Sequence, residues 1–393
     1  MIKVLHYKEQ FLPKSEIWLK HLIDNLESTH SILAAKTYSN LHELSLSKTS
    51  RFKHKYEYWF KSVDELNFNN PSHFLRKAFL VSQHKKYFFW KNLEQYIQFE
   101  NVTILHAHFA YNGFPLLSIS KKFNIPLVVS LYGWDYNKFL FLNPNWKKKY
   151  IKIFTSAHAF IVEGQTGKEN LVSKGIDIKK IFVIPLGKKF TSSQPKRVSI
   201  RNNKNFELIQ VCRIERKKGI IDVLRALARL QNLPIKFTLV GSISDPKYFE
   251  EILTYVKTNK LDSIFTYKSF VPYNQLSKVM SKFDLFIHPS KFTDKRDSEG
   301  GIPTIMFDAL ACGLPIISTK HCDIPEAVIN DYTGFLVEES NINQLSQAIE
   351  KSFRLNKSDY NIMANQAINH VFQNFNISTN AKMLEEVYEN ISK

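Results

Sequence analysis

At 393 residues, with 44% hydrophobic and 13% aromatic content, the chain is too long for one ordinary core and too apolar to be disordered, so two domains are expected. No apolar run nears the ~20 residues of a membrane span, the N-terminal stretch lacks the pattern of a signal peptide, and Cys212, Cys312 and Cys322, without zinc spacing, read as reduced cytosolic thiols. The net charge of +18 is lopsided: residues 1–190 hold 28 Lys and Arg against 14 Asp and Glu, so the basic field belongs to the first half.

In chain order, KVLHY, HSILAAKTY, TILHAHF, PLVVSLYG, AFIVEG and IFVIP read as strands, separated by helical segments such as EIWLKHLIDNLE and GKENLVSKG. A polar stretch over 191–205 breaks the pattern. The strands FELIQVCRI, KFTLVGS, FTYKSFV, DLFIHPS and PIIST then restart it, and amphipathic helices follow from Asn361. Strand and helix alternating twice over imply an α/β chain of two doubly wound parallel sheets with a ligand cleft between them. The expected division is a first domain over 1–190, a linker over 191–205, a second domain over 206–375, and a terminal helix over 376–393 with the option of packing back on the first domain.

Three basic stretches interleave cations with aromatic rings: SRFKHKYEYWFK (Ser50 to Lys61), RKAFLVSQHKKYFFWK (Arg76 to Lys91) and NWKKKYIKIF (Asn145 to Phe154). Such stretches suit an anionic membrane surface. Single-stranded nucleic acid is the competing partner, and a solvated face with no partner is the third reading. The membrane surface is the reading adopted, with no nucleic acid.

One segment carries most of the chemistry: DSEGGIPTIMFDALACGLP, from Asp297 to Pro315. Pro303 and Gly313 bracket an expected helix over Pro303 to Cys312, preceded by a strand and a polar loop. Gly300 and Gly301 would let a phosphate approach the backbone, and Asp308 would accept hydrogen bonds from a sugar diol. An ordinary capped surface helix is the plain alternative.

With these segments in view, the chain resembles the retaining glycosyltransferases of family 4, which share the two-domain GT-B architecture and use nucleotide-activated sugars. VCRIERKKGIIDVLRA resembles the family segment whose Arg and Lys neutralise the donor diphosphate, which implies Arg213 and Lys218. EGGIPTIMFDALACGLP resembles the family's pair of acids. By that resemblance Glu299 contacts the transferred sugar, Asp308 holds the ribose, and the amides around Ile302, Pro303 and Thr304 meet the diphosphate. The acids stand nine residues apart instead of eight, so Glu299 must reach through a bulge at Gly300. HAHFAYNGFP and SLYGWD resemble the family's first-domain motifs and suggest His108, Tyr132 and Asp135 on the acceptor and sugar side. Tyr132 stands where a histidine is common, and FLPKSEIWLK replaces a glycine-rich loop, leaving Ser15 and Glu16 as acceptor contacts.

The resemblance implies transfer of a hexose-type sugar from a UDP- or GDP-linked donor to a lipid-linked or polysaccharide acceptor in bacterial surface-polysaccharide assembly. The place of action would be the inner face of the cytoplasmic membrane, and no metal or other cofactor is expected. A catalytically inactive partner subunit, and less so a nucleotide-sugar epimerase, remain as alternatives.

Overall fold

The computed structural model describes residues 1–11, 16–39, 49–52, 87–190 and 205–392. Valine-, isoleucine- and leucine-rich segments too apolar to face water on either side form two parallel sheets, each covered by helices. The first sheet contains β1 (Ile2–Tyr7), β3 (Thr29–Ala34), β5 (Thr49–Arg51), β6 (Ile104–His108), β7 (Leu127–Leu131), β8 (Ala159–Val162) and β9 (Ile181–Val183), in the order β5-β3-β1-β6-β7-β8-β9. The short strands β2 (Gln10–Phe11) and β4 (Thr37–Tyr38) pair separately. The second sheet contains β10 (Phe206–Val211), β11 (Ile235–Val240), β12 (Phe265–Lys268), β13 (Leu285–His288), β14 (Ile316–Thr319) and β15 (Gly334–Val337), in the order β12-β11-β10-β13-β14-β15.

Strand order reverses between β1 and β6 in one sheet and between β10 and β13 in the other. At such a switch point the connections leave in opposite directions and open a crevice beyond the carboxyl ends. The segments after β10 and β13 carry the chain's Arg-Lys and acid-glycine motifs, so both meet at one crevice. Leu127–Leu131 is buried throughout, as expected of a strand covered on both faces. The strands β5 and β15 add to those expected from the sequence. The helix expected over Pro303 to Cys312 is shorter, Ile305–Ala311, because Met306 N–H bonds to Pro303 O and Phe307 N–H to Thr304 O in a tighter opening turn. Gly313 is left-handed, φ +68°, and closes it.

The chain crosses between the halves twice. On the first crossing Lys188 N–H donates to Phe375 O at 2.9 Å, and on the return Ile377 N–H donates to Lys188 O at 3.0 Å. The last helix, Ile377–Ser392, then lies on the first sheet. Its Ile377, Ala381, Leu384, Val387 and Tyr388 share one buried cluster with Val4, Ile104, Val128 and Ile161. Glu385 is buried and accepts from the backbone N–H groups of Ser28, at 2.6 Å, and Thr29, at 3.1 Å. Among the described residues no helix is long and apolar enough to cross a membrane.

Replacing Glu385 with Ala leaves the buried Thr29 amide and the neighbouring Ser28 amide without their charged acceptor, and should cost about 2 kcal/mol. A urea unfolding midpoint unchanged in Glu385→Ala would show that the terminal helix is held without this contact.

Candidate active site

After β10 the chain turns through one 3-10 turn, Arg216–Lys218, into the helix Ile220–Ala228. Gly219 makes the turn possible: it is left-handed, φ +64°, and a Cβ there would lie 2.0 Å from Pro289 O. Buried Gln210 donates from its amide to Lys218 O at 2.7 Å and holds the turn in place. The Lys218 ammonium then meets Glu299 Oε2 at 2.8 Å, with both side chains almost fully covered.

Glu299 is the most heavily supported acid of the site. Ser290, just beyond β13, donates to Oε1 at 2.8 Å, and the Glu299 N–H donates to His321 Nε2 at 3.1 Å. That bond fixes the His321 tautomer, leaving Nδ1–H to donate to Glu339 at 2.7 Å. His288 Nε2 stands 3.7 Å from Oε1, and burial lowers its pKa while Glu299 opposes that shift. Burial alone would push the Glu299 carboxyl up. The Lys218 charge beside it, aided by Lys217 and His288, outweighs burial and holds it well below the usual carboxylate range. Arg213, by contrast, is exposed and pairs with Glu215 at 2.7 Å. It is therefore not gathered onto Glu299.

The bulge expected at Gly300 is present, φ +84°, and turns Glu299 towards Lys218. The two glycines do not leave open space for a phosphate. Gly300 lies back to back with Gly133, itself at φ +73°, and a Cβ on Gly133 would come within 2.0 Å of Gly300 Cα. A Cβ on Gly301 would come within 2.1 Å of Glu163 Oε2. The absent side chains make room for the first half of the chain. Around this contact Tyr136 OH donates to Gly300 O at 3.2 Å, Asn137 to Ser298 Oγ at 3.0 Å, and Asp297 is gripped between Lys138, at 2.5 Å, and Lys217, at 3.3 Å. Burial, with Asp323 nearby, raises the Glu163 carboxyl well above its usual range.

Of the donor segment, Ile302 is buried, Pro303 half-buried and Thr304 exposed. Asp308 is buried in the helix that follows. Its Oδ1 is engaged by Lys188 in an ion pair and by the Tyr273 hydroxyl at 3.3 Å.

On the first-half side His6, His106 and His108 form a buried cluster whose ring nitrogens approach within 4.8 Å of one another. Parallel register sets His6 beside His106, and His108 follows two residues on along the same face. His6 Nδ1 contacts His108 Nε2 at 3.0 Å, and His108 Nδ1 contacts Tyr132 OH at 2.8 Å. His106 contacts Tyr388 OH at 2.6 Å and Ser130 Oγ at 2.7 Å. Two of the three rings thus spend both nitrogens on hydrogen bonds, whereas the buried Nε2 of His6 has no partner among the described residues. Burial lowers all three pKa values, that of His6 to about 3, so the rings are neutral.

Asp135 accepts from Ala110 N–H at 2.8 Å and Tyr132 N–H at 3.1 Å, tying two strand-end loops together, and burial pushes its carboxyl up to about 7. Glu16 is paired with Lys8 at 2.6 Å, and Ser15 lies outside the described residues. Sequence reasoning missed Lys188, Tyr273, Ser290 and His321. Only Ser290 carried a signal, closing the FDLFIHPS run at a strand's carboxyl end.

Known proteins fit this arrangement. Residues 71–187 match Glycosyltransferase Family 4 and residues 192–370 match Glycosyl transferases group 1. Anabaena HepE, solved in complex with UDP-glucose, superposes with a TM-score of 0.71 at 15% identity, over 99% of this chain and 100% of that one. A Rickettsia africae ESF-5 glycosyltransferase gives 0.72 at 18% identity, over 100% and 99%. The putative colanic acid biosynthesis glycosyltransferase WcaL of Escherichia coli K12 is 25% identical over 62% of this chain and 59% of its own length. AmsK, the amylovoran biosynthesis glycosyltransferase of Erwinia amylovora, is 24% identical over 62% and 59%. The matched region thus spans about three fifths of these relatives. Two parallel α/β sheets facing across a cleft, with this likeness over the whole chain, make the fold GT-B. The chain belongs to glycosyltransferase family 4, with a group 1 segment as its second half.

The depressed Glu299 pKa fixes a pH dependence. The folded state binds this proton less tightly than the unfolded chain, so the ion pair's contribution is present above the ordinary carboxylate value of 4.5 and is lost as pH falls through the folded value. Urea unfolding of the wild type and Glu299→Gln should show a stability gap that is level above the ordinary carboxylate range and narrows as the pH falls below it. A gap that stays level to the acid end would rule out the charged pair.

Proposed function

We propose that the protein is a retaining glycosyltransferase that moves a hexose-type sugar from a UDP- or GDP-linked donor to a lipid-linked or polysaccharide acceptor in surface-polysaccharide assembly. The observation that carries this reading is the buried Lys218–Glu299 pair at the switch point, nine residues before Asp308 and facing the first-half loop at Gly133. A departing nucleoside diphosphate gains negative charge, and Lys218 with Arg213 would meet that charge, with the amides around Ile302 to Thr304 beside them. Glu299, held rigidly as a carboxylate, would address hydroxyls of the transferred sugar, and Asp308 would address the ribose. No metal is required in this scheme. The names of WcaL and AmsK support a polysaccharide product, and HepE's complex with UDP-glucose supports a nucleotide sugar.

The membrane reading has a local basis in the described residues. Phe141, Leu142 and Ile151 are exposed large hydrophobics, and Ile151 shares a helix face with Lys147 and Lys148. Most of the other two basic stretches, residues 53–86, lies outside the described residues.

The reading is tested by incubating the protein with UDP- and GDP-sugars and a lipid-linked acceptor and following the anomeric proton by NMR, with and without chelator. Product with the donor's own anomeric configuration, formed in chelator, is expected; inverted product, a requirement for divalent cation, or donor epimerised without acceptor would overturn it. Arg213→Ala is the clean probe of the diphosphate contact, because its side chain is exposed and its loss strands no buried charge. Turnover should fall about 10²–10³-fold with an unchanged melting temperature. Lys218→Ala is less informative, since it leaves Glu299 buried and unpaired, a loss of about 3–5 kcal/mol in stability. For the membrane contact, Phe141→Asp with Ile151→Asp should weaken sedimentation with vesicles containing anionic lipid while leaving nucleotide affinity unchanged. Equal sedimentation of both proteins would remove this face from the reading.

A further inference from the structure

Asp308 already has partners. Besides the Tyr273 hydroxyl, its Oδ1 holds the Lys188 ammonium, which also lies 5.2 Å from the centroid of the Tyr273 ring. Side-chain exposures of 24% for Lys188 and 11% for Asp308 place this pair in partial shelter, where a charge-assisted contact is stronger than on open surface. Lys188 is not part of the second sheet or its helices. It sits on the crossing, its backbone bonded to Phe375 on one side and Ile377 on the other, so the side chain alone has freedom to swing.

We propose that Lys188 is a built-in competitor for the nucleoside at Asp308. The inference rests on the reading of Asp308 as the ribose-binding acid. A ribose diol brings hydroxyl donors to the carboxylate, and the Lys188 ammonium brings charged donors to the same oxygen, alongside Tyr273. A diol that bridges both carboxylate oxygens needs Oδ1, where Lys188 and Tyr273 already sit, so the donor nucleotide must first displace Lys188. The apparent affinity is then the intrinsic affinity scaled by the fraction of molecules in which Asp308 is released. After transfer, return of Lys188 to Asp308 helps expel the spent nucleoside diphosphate, and product release is a step that limits turnover in many enzymes. The crossing segment thereby contributes a residue to the nucleotide site even though it lies in neither half's core.

The sign of the effect separates this from the obvious rival, in which Lys188 simply attracts the donor phosphates. Calorimetry on the full chain with UDP and with GDP is the test. Lys188→Met keeps the aliphatic stem and removes the charge, and should tighten binding of the preferred nucleotide about 3- to 10-fold. Lys188→Arg, which restores an ion pair, should bind like the wild type. With the corresponding 2′,3′-dideoxynucleotide, which has no diol to compete for Asp308, the gain in Lys188→Met should vanish. Unchanged or weaker binding in Lys188→Met, or an equal gain with the dideoxynucleotide, overturns the competitor while leaving the donor reading in place. Failure of the wild type to bind either UDP or GDP would instead overturn the donor reading, and the competitor with it.

Discussion

Two glycines set back to back fix the geometry on which the site depends. Gly133 and Gly300 both occupy the left-handed region, and neither has space for a single methyl group against the other. Because backbone meets backbone, the loop after β7 and the loop carrying Glu299 lie as close as two chains come. Every other contact across this part of the cleft follows from that distance: the Tyr136 hydroxyl reaching Gly300 O, Asn137 reaching Ser298, Lys138 reaching Asp297. Farther along, Asp323 and Glu326 of the second half accept from the backbone N–H groups of Thr166 and Gln165, at the start of the helix Gln165–Ser173. The halves are thus joined by directional polar contacts over a glycine seam, a type of interface that separates more readily than a shared apolar core.

Within that frame the charges are sorted by shelter. Lys218, Lys217, Glu299 and Asp297 are paired and partly or fully covered, whereas Arg213 stays in solvent with Glu215. Covered charges are held in one orientation before any ligand arrives, and the exposed arginine keeps the freedom to move onto one. The acids Glu163 and Asp135 are covered as well, but burial raises their pKa values and among the described residues no counter-ion opposes it. The cleft therefore combines fixed charged pairs with carboxyls that are easily neutralised, so its net charge depends on which acids have a lysine within reach.

Much of this was legible in the sequence, for reasons that differ by element. Runs such as LVVSL and LFIH announce buried strands because no other local structure suits them. β5, with the sequence TSR, carries no such pattern and exists only because β3 offers it an edge; β15 begins on a glycine and is four residues long. Both Lys218 and Glu299 were nameable from their motifs. Their pairing was not, since it spans 81 residues and depends on two loops meeting at a switch point. The nine-residue spacing of the acids was a visible anomaly, and Gly300, which lies between them, is left-handed at φ +84°. Lys188 carried no signal at all, because a lysine on a connecting segment looks like any other until the fold places it against Asp308. The histidine cluster was likewise hidden: one member comes from β1 and two from β6, and only the parallel register unites them.

The terminal helix has a consequence for how the protein comes into being. Val4, Ile104, Val128 and Ile161 form one face of the first sheet, and the cover for that face is supplied by Ile377 to Tyr388. On a ribosome the strands of that sheet emerge long before their cover does. Through synthesis of the whole second half, the nascent first half must carry an apolar surface with Ser28, Thr29 and His106 still lacking Glu385 and Tyr388 as partners. Domain-by-domain completion from the N-terminus, the usual order in multidomain chains, is therefore closed to this protein. Its second half can finish folding first, and its beginning is sealed by its end.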